Sequence, residues 1–139
     1  MKRDVPDLRP RPVDSEKITI NLGYVDLGQI ELLVAEGFYS NRTDFIRTAI
    51  RNQIERHGDA VRKSTARRNF ELGLRHITRP ELEAARDCGQ ALDIRVLGLA
   101  SIADDVTPDL ARQGIASISV LGALQASAPV KAALADRMT

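Results

Sequence analysis

The stretch KITINL, residues 17–22, decides the fold of the N-terminal half of this chain. Its apolar side chains all fall on one side of an extended backbone: Ile18, Ile20 and Leu22. Its polar side chains all fall on the other side: Lys17, Thr19 and Asn21. A strict period of two is typical of a half-buried β-strand, so the pattern predicts a strand here.

Two amphipathic helices are predicted after this strand. In the first, Val25 to Glu36, the apolar residues recur at helical spacing: Leu27, Ile30, Leu33 and Val34. Gly37 suits the C-terminal cap of this helix, and Asn41 suits the N-terminal cap of the next, with Asp44 completing a variant of the capping box. The second helix reaches about His57 and aligns its apolar residues on one stripe: Phe45, Ile46, Ala49, Ile50 and Ile54.

The predicted strand has no neighbour in the chain to pair with, because the residues that follow it read as helix. An unpaired strand is unstable in water, and its backbone groups need hydrogen-bond partners. The same strand of a second copy would supply them, in an antiparallel ribbon across a twofold axis. The pattern therefore predicts a homodimer core built from the strand and the second helix: Ile18, Ile20, Leu22, Phe45, Ile46 and Ile50.

The ordered segments EKITINL, from residue 16, and VAEGFYSNRTDFIRTAIRNQI, ending at residue 54, resemble the ribbon-helix-helix fold of CopG, Arc and MetJ-type DNA-binding regulators. The resemblance is assigned to residues 16–57. One departure is GYVD, residues 23–26, where many relatives have a Pro-containing turn, and this leaves the start of the first helix open. The rest of the chain more distantly resembles the tails of short bacterial CopG-like regulators.

The resemblance implies binding to double-stranded DNA. In this family the paired ribbon enters the major groove and its outward side chains read base edges. The corresponding residues here are Lys17, Thr19 and Asn21. The family also anchors the DNA backbone at the start of the second helix, where free amides and the helix dipole favour a phosphate. The residues at that point are Asn41, Arg42 and Thr43. Apart from the resemblance, residues 1–16 form a basic arm that is either a source of further phosphate contacts, from Lys2, Arg3, Arg9 and Arg11, or a tail without a specific role.

An internal repeat is predicted after residue 69. IRVLG at Ile94–Gly98 recurs as ISVLG at Ile118–Gly122, and a looser copy relates Leu72–Leu82 to Leu97–Leu110. Each copy reads as a strand, a glycine turn, a second extended piece and a helix entered near a proline: Pro80, Pro108 or Pro129. Because one such unit cannot bury its own apolar face, the copies are expected to stack, with the last face left for another copy of the chain.

The charge distribution and the cysteine content indicate the kind of partner and the cellular compartment of the protein. The net charge of +1 conceals thirteen Lys/Arg against ten Asp/Glu in residues 1–68, and seven against nine in residues 69–139. A basic N-terminal half is consistent with an anionic partner. The single Cys88 indicates a reducing compartment, and its expected role is a small buried residue rather than a reactive thiol.

The sequence contains no pattern typical of a membrane segment and no motif typical of an enzyme. No apolar run reaches the roughly 18 residues of a membrane span, and residues 1–16 lack the pattern of a secretory signal. His57 and His76 are isolated, so no metal site is predicted, and no glycine-rich phosphate loop or nucleophile motif occurs. We therefore predict no enzyme activity and no cofactor, and a cytoplasmic, nucleoid-associated protein.

The complete prediction is an α+β protein with four segments. They are a flexible basic arm, 1–16; a ribbon-helix-helix domain, 17–57; a linker or helix extension, 58–69; and a small solenoid-like strand-and-helix repeat domain, 70–136. The leading function is a homodimeric, sequence-specific transcriptional repressor whose repeat domain forms tetramers or binds a partner. The alternatives are an antitoxin of a toxin–antitoxin pair and a self-assembling structural protein of plasmid maintenance.

Overall fold

A computed structural model describes residues 15–139, which form two units, Ser15–Ser64 and Thr65–Thr139. We call these the N-terminal unit and the C-terminal unit. The arm residues predicted to touch phosphates lie outside the described residues: Lys2, Arg3, Arg9 and Arg11. No helix within residues 15–139 is long and apolar enough to cross a membrane.

The two helices predicted after the KITINL stretch are both present. Helix α1 spans Tyr24–Ala35 and helix α2 spans Arg42–Arg56, each within a residue or two of its predicted ends. Gly23 precedes α1 in an extended conformation without a side-chain cap, so the start of α1 that the GYVD sequence left open is at Tyr24. A third helix, α3, spans Gly58–Arg67, within the segment predicted as a linker or a helix extension.

Residues 15–23 form neither helix nor strand in the single chain. A strand is defined by its hydrogen-bonded neighbour, and the described part of one chain offers none to this stretch. The ribbon across a twofold axis therefore stays a prediction.

The C-terminal unit contains a parallel sheet within the described residues. Its strands, β1 (Glu71–Ile77), β2 (Leu92–Ile102) and β3 (Ile115–Gln125), lie in the order β1-β2-β3. Helix α4 (Arg79–Asp87) connects the first pair and helix α5 (Pro108–Gly114) the second. Parallel neighbours require such crossovers, and each crossover here is a short helix.

The register places the recurring residues of the sequence beside one another. Ile94 pairs with Ile118, Val96 pairs with Val120, and the looser copy aligns Leu72 with Leu97. The interpretation of the glycines was wrong in one respect. Gly98 and Gly122 do not make turns between two extended pieces, because each lies inside a continuous strand, with φ of 139° and 126°.

Three short helices begin in the same way, and the prolines mark each beginning as predicted. Helix α6, Ala128–Leu134, follows β3. Pro80, Pro108 and Pro129 occupy the first or second helical position, where a missing amide proton costs nothing. A side-chain hydroxyl just before each helix accepts a hydrogen bond from a backbone amide of the first turn; these hydroxyls belong to Thr78, Thr107 and Ser127.

The core of the C-terminal unit lies between one face of the sheet and these three helices. The sheet contributes the following buried residues: Ile77, Ile94, Val96, Ala100, Ile102, Ile115 and Ile118. The helices contribute Leu82, Leu110, Ala111, Val130 and Leu134. Cys88 is exposed, so its predicted burial was wrong. It caps α4 just beyond the last turn that packs on this core.

The end of the chain is fixed against β3. After α6, a 3₁₀ turn spans Ala135–Arg137, and its Asp136 carboxylate accepts a hydrogen bond of 2.8 Å from Arg112. The Arg137 guanidinium donates to the carbonyl of Ile115 at 2.5 Å. The amide of Thr139 then donates to the carbonyl of Ile118 at 3.0 Å, which covers part of the β3 edge.

The ion pair of Arg112 and Asp136 predicts a pH dependence of stability. The hydrogen bond from Arg112 holds the pKa of the Asp136 carboxyl below its ordinary value of 3.8. The ion pair therefore stabilises the fold above that pH, and this stabilisation disappears as the pH falls through the lowered pKa. We expect Asp136→Asn to lower the thermal midpoint slightly at pH 7 and to match the wild type well below pH 3.8.

Calorimetry across this pH range measures the effect. The control is Asp104→Asn, because Asp104 is exposed and has no ion pair within residues 15–139. A difference between wild type and Asp136→Asn that stays constant down to about pH 2.5 would contradict the assignment.

Candidate nucleic-acid interface

The turn between α1 and α2 is fixed by backbone hydrogen bonds. The Gly37 amide donates to the Val34 carbonyl at 3.1 Å, and the Phe38 amide donates to the Leu33 carbonyl at 3.0 Å. This pair of bonds is a Schellman motif, which requires a left-handed residue just after the helix. Gly37 meets that requirement with φ of 85°, as predicted for a C-terminal cap.

The start of α2 is fixed by a reciprocal cap. The Asn41 side-chain oxygen accepts a hydrogen bond of 2.8 Å from the Asp44 amide. The Asp44 carboxylate accepts one of 3.0 Å from the Ser40 amide. The sequence predicted this capping-box variant, in which Asp replaces the usual Glu. The Asp44 carboxylate bonds the amide of Ser40, which is one residue before the cap residue Asn41.

Two amide groups at this helix start remain free. The amides of Arg42 and Thr43 make no hydrogen bond to the described part of the chain. Arg42 also lines an open depression of about 500 Å³, together with Glu31, Val34, Ala35, Ser40 and Asn41. Free amides at the positive end of a helix dipole attract an anion.

The charge of Arg42 has a partner that the sequence did not reveal. Its guanidinium lies 3.6 Å from the Glu31 carboxylate on α1, and both side chains are well exposed. An exposed pair of this kind contributes little stability, so Glu31 holds the Arg42 guanidinium only weakly. Glu31 could have been found only by knowing how α1 and α2 pack, because the two residues are far apart in sequence.

An aromatic contact stiffens the same turn. The rings of Tyr39 and Phe45 meet edge to face, with centroids 5.0 Å apart and planes at 85°. Such a contact favours one geometry of the turn. Phe45 was predicted in the dimer core, and in the single chain it is half-buried with Tyr39 as its aromatic neighbour. The role of Tyr39 was missed.

The candidate base-reading residues lie apart from this cap. Lys17, Thr19 and Asn21 are exposed, and no hydrogen bond or ion pair ties them to any other residue of 15–139. The structure therefore brings together Asn41, Arg42 and Thr43, at one helix start. It does not join them to the extended stretch within the single chain.

The N-terminal unit has almost no core of its own. Among residues 15–64 only Ile30 is buried. Ile18 is 80% exposed and Ile20 is 57% exposed, while Leu22, Ile50 and Ile54 also face solvent. An apolar surface of this extent is not left in water by a stable domain, because each large side chain is worth roughly 1.5–3 kcal/mol when buried.

Comparison with known proteins agrees with this geometry. The model of the ribbon-helix-helix transcriptional regulator family matches residues 13–131, which cover the N-terminal unit and most of the C-terminal unit. No curated protein and no solved structure matches the chain significantly. Since the family model spans most of the 139 residues, the chain is a member of the ribbon-helix-helix transcriptional regulator family.

Proposed function

We propose that this protein is a homodimeric, sequence-specific DNA-binding regulator of the CopG type that acts as a repressor. Two copies pair their residues 17–22 as an antiparallel ribbon, and the ribbon enters the major groove. By occupying its operator the dimer excludes the transcription machinery, so no catalytic step is needed. Membership in a family of transcriptional regulators supports the regulatory role.

The observation that carries the proposal is the incomplete N-terminal unit. Residues 17–22 form no strand and the apolar residues of the unit are exposed, yet α1 ends in a fixed turn and α2 begins in a full cap. A second copy would satisfy the strand and cover these side chains together: Ile18, Ile20, Leu22, Phe45, Ile46 and Ile50. This surface is therefore best explained as one half of a dimer core.

The same pairing gives the polar side chains a common direction. With the apolar side packed inward, Lys17, Thr19 and Asn21 of both copies point outward together. Asn can bond adenine with two hydrogen bonds, Lys can donate to guanine, and Thr can contact thymine. These side chains, repeated across a twofold axis, would read a palindromic site.

The start of α2 would hold the DNA backbone. The free amides of Arg42 and Thr43 donate to a phosphate, and the Arg42 guanidinium moves from Glu31 to the same phosphate. Such contacts fix the register of the protein on the duplex but carry no sequence information.

The C-terminal unit would act as a solenoid-like assembly module. Its register repeats from strand to strand, and one sheet face lacks a covering helix. An antitoxin tail that folds only on its toxin fits less well, because this unit already has a buried core. Assembly on DNA as a structural protein of plasmid maintenance is the second candidate, favoured by the same uncovered face.

Two substitutions separate base reading from backbone contact. Duplex DNA selected by the wild type from a random pool serves as the probe. Asn21→Ala is expected to cost roughly 1–3 kcal/mol and to relax the preference at one base position in each half-site. Arg42→Ala is expected to weaken binding to all sequences alike. The slope of the logarithm of the binding constant against the logarithm of the salt concentration should also become shallower, by about one unit for each phosphate that is no longer neutralised.

Titrations at several salt concentrations and a repeated selection measure these effects. Arg47→Ala is the control, because it removes one positive charge from an exposed position on the same helix. If Asn21→Ala and Arg42→Ala both weakened binding equally and without regard to sequence, Asn21 would not be a base reader. If no selected sequence emerged from the pool, the proposed function itself would be wrong.

A further inference from the structure

One face of the C-terminal sheet carries a patch of apolar side chains, most of them leucines. Alternation along each strand places them opposite the residues that pack on the helices. They occupy two adjacent rows in the register, Leu72–Leu97–Leu121 and Leu74–Leu99–Ala123. We call these six residues the leucine face. Leu72 is 75% exposed, Leu74 is 83% exposed and Leu121 is 48% exposed.

The leucine face is unusual for this type of sheet. Parallel sheets are normally covered on both faces. Here α4, α5 and α6 contribute to a core on the other face only, together with Ile94, Val96 and Ile118. An exposed apolar patch of this kind on a folded unit marks an interaction surface.

Polar groups border the leucine face at both ends. At the carboxyl ends of the strands, His76 Nδ1 lies 2.7 Å from Ser101 Oγ. At the amino ends, Asp93 accepts a hydrogen bond from Ser117 and lies 3.3 Å from the Arg95 guanidinium. The charged groups of this border are therefore already paired, and the centre is uncharged. An apolar centre with a polar rim is the pattern of a protein–protein interface, and nothing in it repels an identical face.

The area of the leucine face determines whether one contact is enough for a stable complex. Three strands spaced by about 4.8 Å, over the length of about 30 Å taken by the leucine face and its two polar borders, give a surface on the order of 400 Å². A stable interface buries about 800 Å² on each partner, so one such contact is weak alone. A dimer of the proposed function carries two leucine faces, so a second dimer that engages both makes two contacts. The second contact then forms intramolecularly, at an effective concentration near the millimolar range.

We propose that the leucine face docks on the leucine face of a second dimer of this chain, to give a tetramer. This inference rests on the homodimer of the proposed function and specifies the surface of its assembly module. The contact is isologous: leucine meets leucine across a twofold axis, and the polar borders stay at the rim. A second dimer that makes both contacts closes the assembly at four chains.

A charge-swap experiment on the full-length protein tests the proposal. Leu97 lies in the middle strand, so Leu97→Glu and Leu97→Lys place a charge at the centre of the face. Each variant alone is expected to raise the tetramer dissociation constant by at least about 100-fold, because like charges would be buried together. Mixing the two variants is expected to restore the tetramer, because Glu-bearing dimers then meet Lys-bearing dimers. Light scattering over a dilution series measures the mass.

Two further variants guard against misfolding and non-specific charge effects. Leu74→Glu changes a side chain that is already largely in solvent, so it should fold and yet stay dimeric. Ala84→Glu adds the same charge at an exposed position of α4 and should remain tetrameric. Circular dichroism checks the fold of each variant.

The outcomes are distinct. A wild type that is dimeric at every concentration, a Leu74→Glu variant that is still tetrameric, or a mixture that does not reassociate would each overturn the leucine face as the docking surface. A monomeric wild type would instead contradict the homodimer of the proposed function. Binding of Leu74→Glu to a single-site duplex should equal that of the wild type.

Discussion

Gly98→Ala is expected to unfold the C-terminal unit. The added Cβ atom would lie 2.2 Å from the carbonyl oxygen of Gly73 on the neighbouring strand, which is a backbone atom that cannot rotate away. The backbone φ of 139° adds a strain of roughly 1–3 kcal/mol for any residue with a side chain. To relieve the overlap, β1 and β2 would have to separate. We expect a total cost above about 4 kcal/mol, a large part of the stability of a small domain.

Gly122→Ala repeats the test one strand further on, since its Cβ would lie 2.0 Å from the Gly98 carbonyl oxygen. Gly73→Ala is the matched control. Its φ is 118°, but nothing lies within 4 Å of an added Cβ, so it carries the strain without the overlap. Urea unfolding followed by circular dichroism should therefore rank Gly73→Ala well above the other two in stability. Equal destabilisation by all three substitutions would show that close strand approach is not what requires glycine.

Ile20→Pro is expected to abolish the dimer and with it the fold of the N-terminal unit. Proline has no backbone N–H to donate in a two-stranded ribbon, and it replaces one of the apolar side chains that face the second copy. Because only Ile30 is buried within residues 15–64 of the single chain, little remains to hold α1 and α2 together once the copies separate.

Sedimentation and circular dichroism together measure this outcome. Ile20→Val is the control, because it keeps the N–H and most of the side chain, and it should remain dimeric at a cost of about 0.5–1.5 kcal/mol. A well-folded monomer of Ile20→Pro, with its helices intact, would show that the unit is stable without a partner.

Local patterns made much of this structure predictable. The period of apolar residues placed α1 and α2, and Gly37, Asn41 and Asp44 placed the turn between them. The recurrence of Ile94 as Ile118 even gave the register of two strands. These features depend on residues close in sequence, or on repetition of the sequence itself.

The features that escaped prediction depend on contacts between distant residues. The pairing of Arg42 with Glu31 and the exposure of Cys88 follow from how elements pack and where they end. Gly98 looked like a turn because a glycine between apolar residues more often marks one. Its position inside β2 becomes visible only when Gly73 and Gly122 are seen beside it.

The row formed by Gly73, Gly98 and Gly122 also limits how this chain can change in length during evolution. The first two are 25 residues apart and the last two are 24 apart, yet all three are in register. The connections absorb the difference. The loop before α5, residues 103–107, is longer than Thr78 alone before α4, but this is more than offset because α5 is shorter than α4 and β3 follows α5 directly, whereas residues 88–91 separate α4 from β2. Insertions there leave the row intact. A single residue inserted within β2 would instead move the glycine out of its row and exchange the two faces of the strand.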